Sequence, residues 1–189
     1  MGAYAEDLRR WADRSRVPVD GTPSGVRLRP VDVLKLLWRH PALWATGCYR
    51  MASWCSRHRV RVLPTLFERL NLLCFGLEIS SGVPIGPGLY IAHPTGTVIM
   101  ARRVGANASF VHAVTVGMRG EHEFPVLGDG VFVGAGARVL GPIRVGHGCR
   151  VGANAVVLES VPDGATAVGV PARILPARDP AARPASPVS

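Results

Sequence analysis

The chain has 189 residues, 48% of them hydrophobic and 19% charged, and a formal net charge of +9. That length fits one domain with a small appendage, and the composition is that of a globular protein. No uncharged apolar run is long enough to span a bilayer. The charge is uneven: residues 1–75 carry 13 Lys and Arg against 6 Asp and Glu, and residues 76–189 carry 9 against 7. Nucleic-acid binding would need aromatic-basic interleaving, a zinc finger or a recognition helix, and none is present. A solvated basic surface, or one attracting a polyphosphate cofactor, fits better.

Residues 1–76 read as a helical region. The N-terminal stretch is polar and matches neither a secretory leader nor a myristoylation signal. Ala5 to Arg14 suits a short helix with Leu8 and Trp11 on one side, and Gly21 to Gly25 reads as a loop. Pro30 fits the first turn of a helix running to about His40, and Pro41 opens another to about His58. Val62 to Phe75 keeps helical spacing through Leu63, Leu66, Phe67, Leu70 and Leu73, with Gly76 as its stop. The Trp and Met residues here are expected to pack in a core rather than bind a ligand. The helices are expected to cap the segment beyond residue 76 and to join subunits.

From Glu78 the pattern changes. An aliphatic residue returns every sixth position at Leu127, Val133, Val139, Val145, Val151 and Val157. Four positions after each comes Val131, Ala137, Ile143, Cys149, Ala155 or Val161, and glycine usually follows the aliphatic. This period is neither helical nor that of a simple strand. It describes a coil of short strands whose aliphatic residues stack inward, three units to a turn, as a parallel β-helix prism. The glycine suits a tight backbone turn or a positive φ. Earlier units begin at Ile79, Ile85, Ile91, Val104, Phe110 and Val116. Thr97–Arg103 and Arg119–Pro125 interrupt the period, and the second insert, with Glu121-His122-Glu123, is expected to build a binding wall. The coil is expected to span residues 77–175, with a disordered Pro, Ala, Arg and Ser tail over 176–189.

Four motifs carry a family likeness: Ile85-Gly-Pro-Gly-Leu-Tyr-Ile-Ala-His-Pro-Thr-Gly, Ala113-Val-Thr-Val-Gly, Val133-Gly-Ala-Gly-Ala-Arg-Val-Leu-Gly and Gly169-Val-Pro-Ala-Arg-Ile. Together they resemble the hexapeptide-repeat acyltransferases, nearest to the serine O-acetyltransferase branch. The resemblance implies a mainly β fold, a left-handed parallel β-helix with an N-terminal α-helical region. It also implies a homotrimer, with trimers pairing through the N-terminal helices as a further option. The implied activity is acyl transfer from acetyl-CoA to a hydroxyl.

Such a transfer needs a base for the hydroxyl and donors for the oxyanion. His93 matches the family's catalytic histidine, and an imidazole suits the task. Glu78 stands where the serine enzymes carry an aspartate and is a candidate to orient the ring. The serine enzymes also have an aspartate just before the histidine, where this chain has Ala92, and an Arg-His pair where it has Glu123-Phe124. Losing an anion and a cation weakens the case for a free zwitterion. A sugar or a natural-product alcohol is therefore expected as acceptor, with serine itself the alternative. His112, His122, Glu123 and Phe124 are candidate acceptor-binding residues. Gly117, Ala135, Ala137, Ala153 and Ala155 offer small side chains for the pantetheine arm of coenzyme A, and Arg138 and Arg173 suit its phosphates.

No metal is expected, because the histidines lack ligand spacing with Cys or carboxylates. Cys48, Cys55, Cys74 and Cys149 likewise show no metal or redox spacing, which points to a reduced cytoplasmic protein with buried thiols. Two other readings stay open. One is a non-catalytic β-helix scaffold or binder, and the other is a metalloenzyme resembling γ-class carbonic anhydrase.

Overall fold

The computed structural model describes residues 2–16, 30–120 and 123–177. His122, Glu121, the Gly21–Gly25 loop and the tail from residue 178 lie outside the described residues. Four helices come first: α1 (Gly2–Arg16), α2 (Pro30–Arg39), α3 (Pro41–Arg57) and α4 (Leu63–Phe75). A proline starts a helix readily but pushes the residue before it out of helical conformation. Pro41 does both, leaving His40 extended at φ −125°, ψ 91° between two helices. At the other end α4 stops on Gly76, whose left-handed φ of 62° lets its N–H turn back to the last helical carbonyls.

The coil begins at the next residue. Its strands are β1 (Leu77–Ile79), β2 (Tyr90–Ile91), β3 (Thr97–Ile99), β4 (Arg103–Val104), β5 (Ser109–Phe110), β6 (Thr115–Gly117) and β7 (Val126–Leu127). They continue with β8 (Phe132–Val133), β9 (Arg138–Leu140), β10 (Arg144–Val145), β11 (Arg150–Val151), β12 (Val156–Val157), β13 (Thr166–Val168) and β14 (Arg173–Leu175). Three sheets form the prism faces, in the orders β1-β3-β6-β9-β12, β4-β7-β10 and β2-β5-β8-β11-β13-β14. Pairing is parallel throughout until β14 folds back antiparallel on β13 and closes the coil. The fold is mainly β, a left-handed parallel β-helix behind an N-terminal α-helical region.

The period-six residues line the inside. Leu127, Val133, Val139, Val145, Val151 and Val157 are at most 1% exposed, and Phe110 and Ile91 are fully buried in the same stack. The glycine after each aliphatic serves close approach rather than φ. A Cβ on Gly134 would lie 2.7 Å from the backbone nitrogen of Ala153 in the next turn of the coil.

The helices are fastened to the coil by polar contacts. Tyr49 donates its hydroxyl proton to the Val83 carbonyl at 2.6 Å. Arg50 donates to the carbonyls of Ile85 and Gly86, both at 2.7 Å, and also holds the buried Asp7 of α1. Arg10 reaches the Gly88 carbonyl, the Ala108 carbonyl and the Ser109 hydroxyl.

Two expectations about the helices are corrected. Only Trp11 among the four tryptophans is buried; Trp38, Trp44 and Trp54, with Met51, stay exposed because α2 and α3 turn these positions away from the coil. The thiols are not uniformly buried either: Cys74 is exposed on α4, and Cys48 is half-buried. No helix among the described residues is long and apolar enough to cross a membrane.

Candidate active site

Parallel pairing sets the first relationship. Tyr90 lies opposite Ser109 and Ile91 opposite Phe110. Residues two further on, His93 and His112, therefore fall one above the other. Their rings meet edge to face, with centroids 6.0 Å apart and planes at 62°. The His93 N–H donates to the Val111 carbonyl at 3.3 Å, and both side chains are exposed.

His93 opens onto a cleft of about 500 Å³ between the coil and the helices. Ala92, Pro94 and Thr95 line it from the coil, and Trp11, Arg39, His40 and Cys74 line it from the helical region. Trp11 packs at a tilt against His40 (4.9 Å) and Tyr90 (4.5 Å). Burial, helped by the neighbouring Arg39 charge, pushes the His40 pKa below the usual imidazole range. The cleft thus offers an imidazole for proton transfer, an aromatic wall and a cation.

The other expected residues fall in several places. Glu78 sits on the outward side of β1 opposite Val98; among the described residues its carboxylate makes no hydrogen bond or ion pair, and it does not line the cleft. Glu123 is exposed and Phe124 half-buried, and neither lines the cleft. His122 lies outside the described residues.

On the coenzyme side, Ala137 and Ala155 need correction: both are fully buried in the coil core, so their side chains cannot line an outer groove. They are small because they share the prism interior. Arg138 is partly engaged, its Nη1 donating to the carbonyls of Ala113 (2.5 Å) and Gly136 (3.0 Å). Ala153 is exposed and Ala135 half-buried. A Cβ on Gly117 would meet nothing nearer than 3.9 Å, but Gly117 is itself buried at the end of β6. Arg173 is exposed on β14, flanked by Ala172 and Ile174, which line a second cleft of about 310 Å³ together with Arg119.

Sequence reasoning missed Trp11, Arg39, His40 and Cys74. The available signal was Arg39-His40-Pro41, where the proline forces a corner between helices. Among the described residues no group of three or more His, Cys, Asp or Glu is placed to hold a metal ion.

The family description "Bacterial transferase hexapeptide (six repeats)" matches residues 124–159. A serine acetyltransferase from Helicobacter pylori is 40% identical over 145 residues, covering 75% of this chain and 85% of that protein. The chain belongs to the serine acetyltransferase family. A second family member, from Mycobacterium tuberculosis, is 38% identical over 146 residues, covering 75% of this chain and 64% of its own length. The chain thus spans somewhat less than two thirds of that longer relative. Among solved structures of the family, "Serine Acetyltransferase- Complex with CoA" superposes with a TM-score of 0.77 at 31% identity, covering 92% of this chain and 68% of that one.

Proposed function

We propose that this protein transfers the acetyl group of acetyl-CoA to the side-chain hydroxyl of serine, with His93 as general base. The observation that carries the reading is 40% identity across 85% of a serine acetyltransferase. It favours serine over the sugar or natural-product alcohol expected from the sequence. The acceptor oxygen bonds to the thioester carbonyl carbon and the carbon–sulfur bond breaks. The hydroxyl proton passes through the imidazole to the departing thiolate, so no acyl-enzyme forms. Backbone N–H groups around Gly117 are the candidate oxyanion donors.

The narrow pantetheine arm suits the small side chains of the half-buried Ala135 and the exposed Ala153. Arg173, exposed and with its side chain bonded to no carbonyl among the described residues, suits the phosphates better than Arg138. The assembly proposed is a trimer, with coil surfaces of neighbouring prisms walling the donor groove. The exposed Trp38, Trp44, Met51 and Trp54 suit pairing of trimers through the helices.

A second reading, acetylation of a larger and less charged alcohol, is favoured by Ala92 and Glu123. One assay separates the two. The protein is incubated with acetyl-CoA and L-serine, homoserine, an amino sugar or a glycoside, and thiol release is followed. Serine-dependent release, lost in His93→Asn, is the expected result. Release with a sugar and none with serine overturns the first reading.

A further inference from the structure

Helix α3 carries a groove that acetyl transfer does not use. Trp44, Gly47, Met51 and Trp54 follow helical spacing and share one side of the helix. With residues of α1, α2 and α4 they line a groove of about 450 Å³, which shares no lining residue with the His93 cleft. Its rings are held in place. The Trp44 indole N–H donates to the Leu37 carbonyl and the Tyr4 hydroxyl to the Leu43 carbonyl, both at 3.0 Å, and Trp54 stacks on His58 at 4.2 Å. Gly47 makes room for the Tyr4 ring: a Cβ there would lie 3.1 Å from the Tyr4 oxygen. With those polar atoms satisfied, the aromatic side chains offer a ligand apolar surface. Arg50 and Arg57 also line the groove, and no carboxylate among the described residues does. Arg50 is occupied by Asp7 and by coil carbonyls. Arg57 donates Nε to the Ser53 carbonyl at 3.3 Å and, among the described residues, has no carboxylate partner. Residues 33–67 hold six Lys and Arg and no Asp or Glu, so the surrounding sequence supplies no counter-charge.

We propose that this groove binds a small carboxylate with an alkyl body, the chain lying against Trp44, Met51 and Trp54 and the carboxylate meeting Arg57. The volume is that of a small-molecule site, and apolar walls with a cation that no carboxylate answers are the complement of such an amphiphile. Rings anchored before the ligand arrives lose little freedom on binding. An alkyl cation would meet like charge in the same place. The site goes beyond acetyl transfer and does not depend on which alcohol is acetylated. The same side chains suit the pairing of trimers, so ligand and second trimer meet one face, and the test reads both.

The test titrates decanoate and decylammonium, each below its micelle concentration, and reads binding by calorimetry and tryptophan fluorescence. It compares wild type, Arg57→Gln, Met51→Glu and His93→Asn, with sedimentation velocity on each. Arg57 and Met51 are exposed, so their variants keep the fold, which melting temperature verifies. Expected is saturable decanoate binding by wild type, weakened about tenfold in Arg57→Gln and lost in Met51→Glu, which sets a carboxylate among the lining residues. Binding should persist in His93→Asn and with acetyl-CoA present, and decylammonium should bind about tenfold more weakly or worse. No saturable decanoate binding, decylammonium bound as tightly, or affinity unchanged in both groove variants overturns the site. Displacement of decanoate by acetyl-CoA puts it in the donor groove and overturns the site as well. Trimer pairing lost in Met51→Glu, with no decanoate bound by wild type, gives the face to a second copy and overturns the ligand. Serine-dependent thiol release stands or falls apart from these outcomes, because none of them reads acetyl transfer.

Discussion

Arg50 of α3 grips Asp7 of α1 with two hydrogen bonds, Nε to Oδ2 at 2.8 Å and Nη2 to Oδ1 at 3.0 Å, while the Leu89 N–H of the coil donates to the same carboxylate at 2.7 Å. Asp7 is fully buried, and one side chain thereby ties two helices to the first turns of the coil. Removing one partner of such a pair strands the other charge away from water, which costs about 3–5 kcal/mol. Asp7→Ala is therefore expected to lower unfolding free energy by that order in urea titrations. It should also impair acetyl transfer, because Trp11 stands one turn further along the same helix. Replacing both charges, Asp7→Leu with Arg50→Met, should recover much of the stability. A loss below about 1 kcal/mol in Asp7→Ala would show that the clamp is dispensable.

His93 and His112 are stacked by the same strand register but are expected to differ in role. His93 lines the cleft and His112 does not. His93→Asn should lower kcat by about 10²–10⁴, the range for losing a general base, with an unchanged melting temperature because the ring is exposed. His112→Asn should change kcat by less than about tenfold, its main effect being on KM. Equal losses of kcat in both variants would assign the base function to the pair rather than to His93.

The coil was legible because its signal is local. An inward aliphatic every sixth residue records the prism interior directly, although the break expected at Thr97–Arg103 is itself coil, since Thr97–Ile99 forms β3 and Arg103 begins β4. The candidate site was half legible for the opposite reason. His93 could be picked out from its motif, but its cleft is completed by Trp11, Arg39 and His40, which the Asp7–Arg50 contact and the corner at Pro41 bring there from far along the chain. Burial in three dimensions also decides between two meanings of a small residue. Ala137 and Ala155 are small to fit inside the prism, whereas Ala153 lies on its surface. Sequence pattern alone treats them alike.

Cys74 gives a chemical handle on the cleft. It is exposed and lines the cleft with His93, whereas Cys55 and Cys149 are buried and Cys48 is half-buried. Burial pushes the thiol pKa values of Cys48 and Cys149 up, which lowers their thiolate fraction at any given pH. A bulky maleimide at neutral pH is expected to label Cys74 first, as read by peptide mass mapping. Labelling should reduce acetyl transfer in step with its extent, and serine should protect. Cys74→Ser should stay active and resist the reagent; an equally sensitive Cys74→Ser would place the critical thiol elsewhere.

Two glycines separate the steric requirements of the coil. Gly134 has no positive φ, but any Cβ there would press on the backbone of the next turn at Ala153, and backbone cannot swing aside as a side chain does. Gly148 has a left-handed φ of 65° with no atom within 4 Å of an added Cβ. Asn107 and Asn154 already adopt left-handed φ values of 56° in equivalent turns, so asparagine is compatible with that conformation. Gly134→Ala is expected to destabilise the coil by about 1–3 kcal/mol, the usual cost of overpacking. Gly148→Asn should fall within about 0.5 kcal/mol of wild type. Chemical denaturation of the two variants decides the matter. The reverse order would mean that φ, rather than the distance between successive turns, governs where this coil needs glycine.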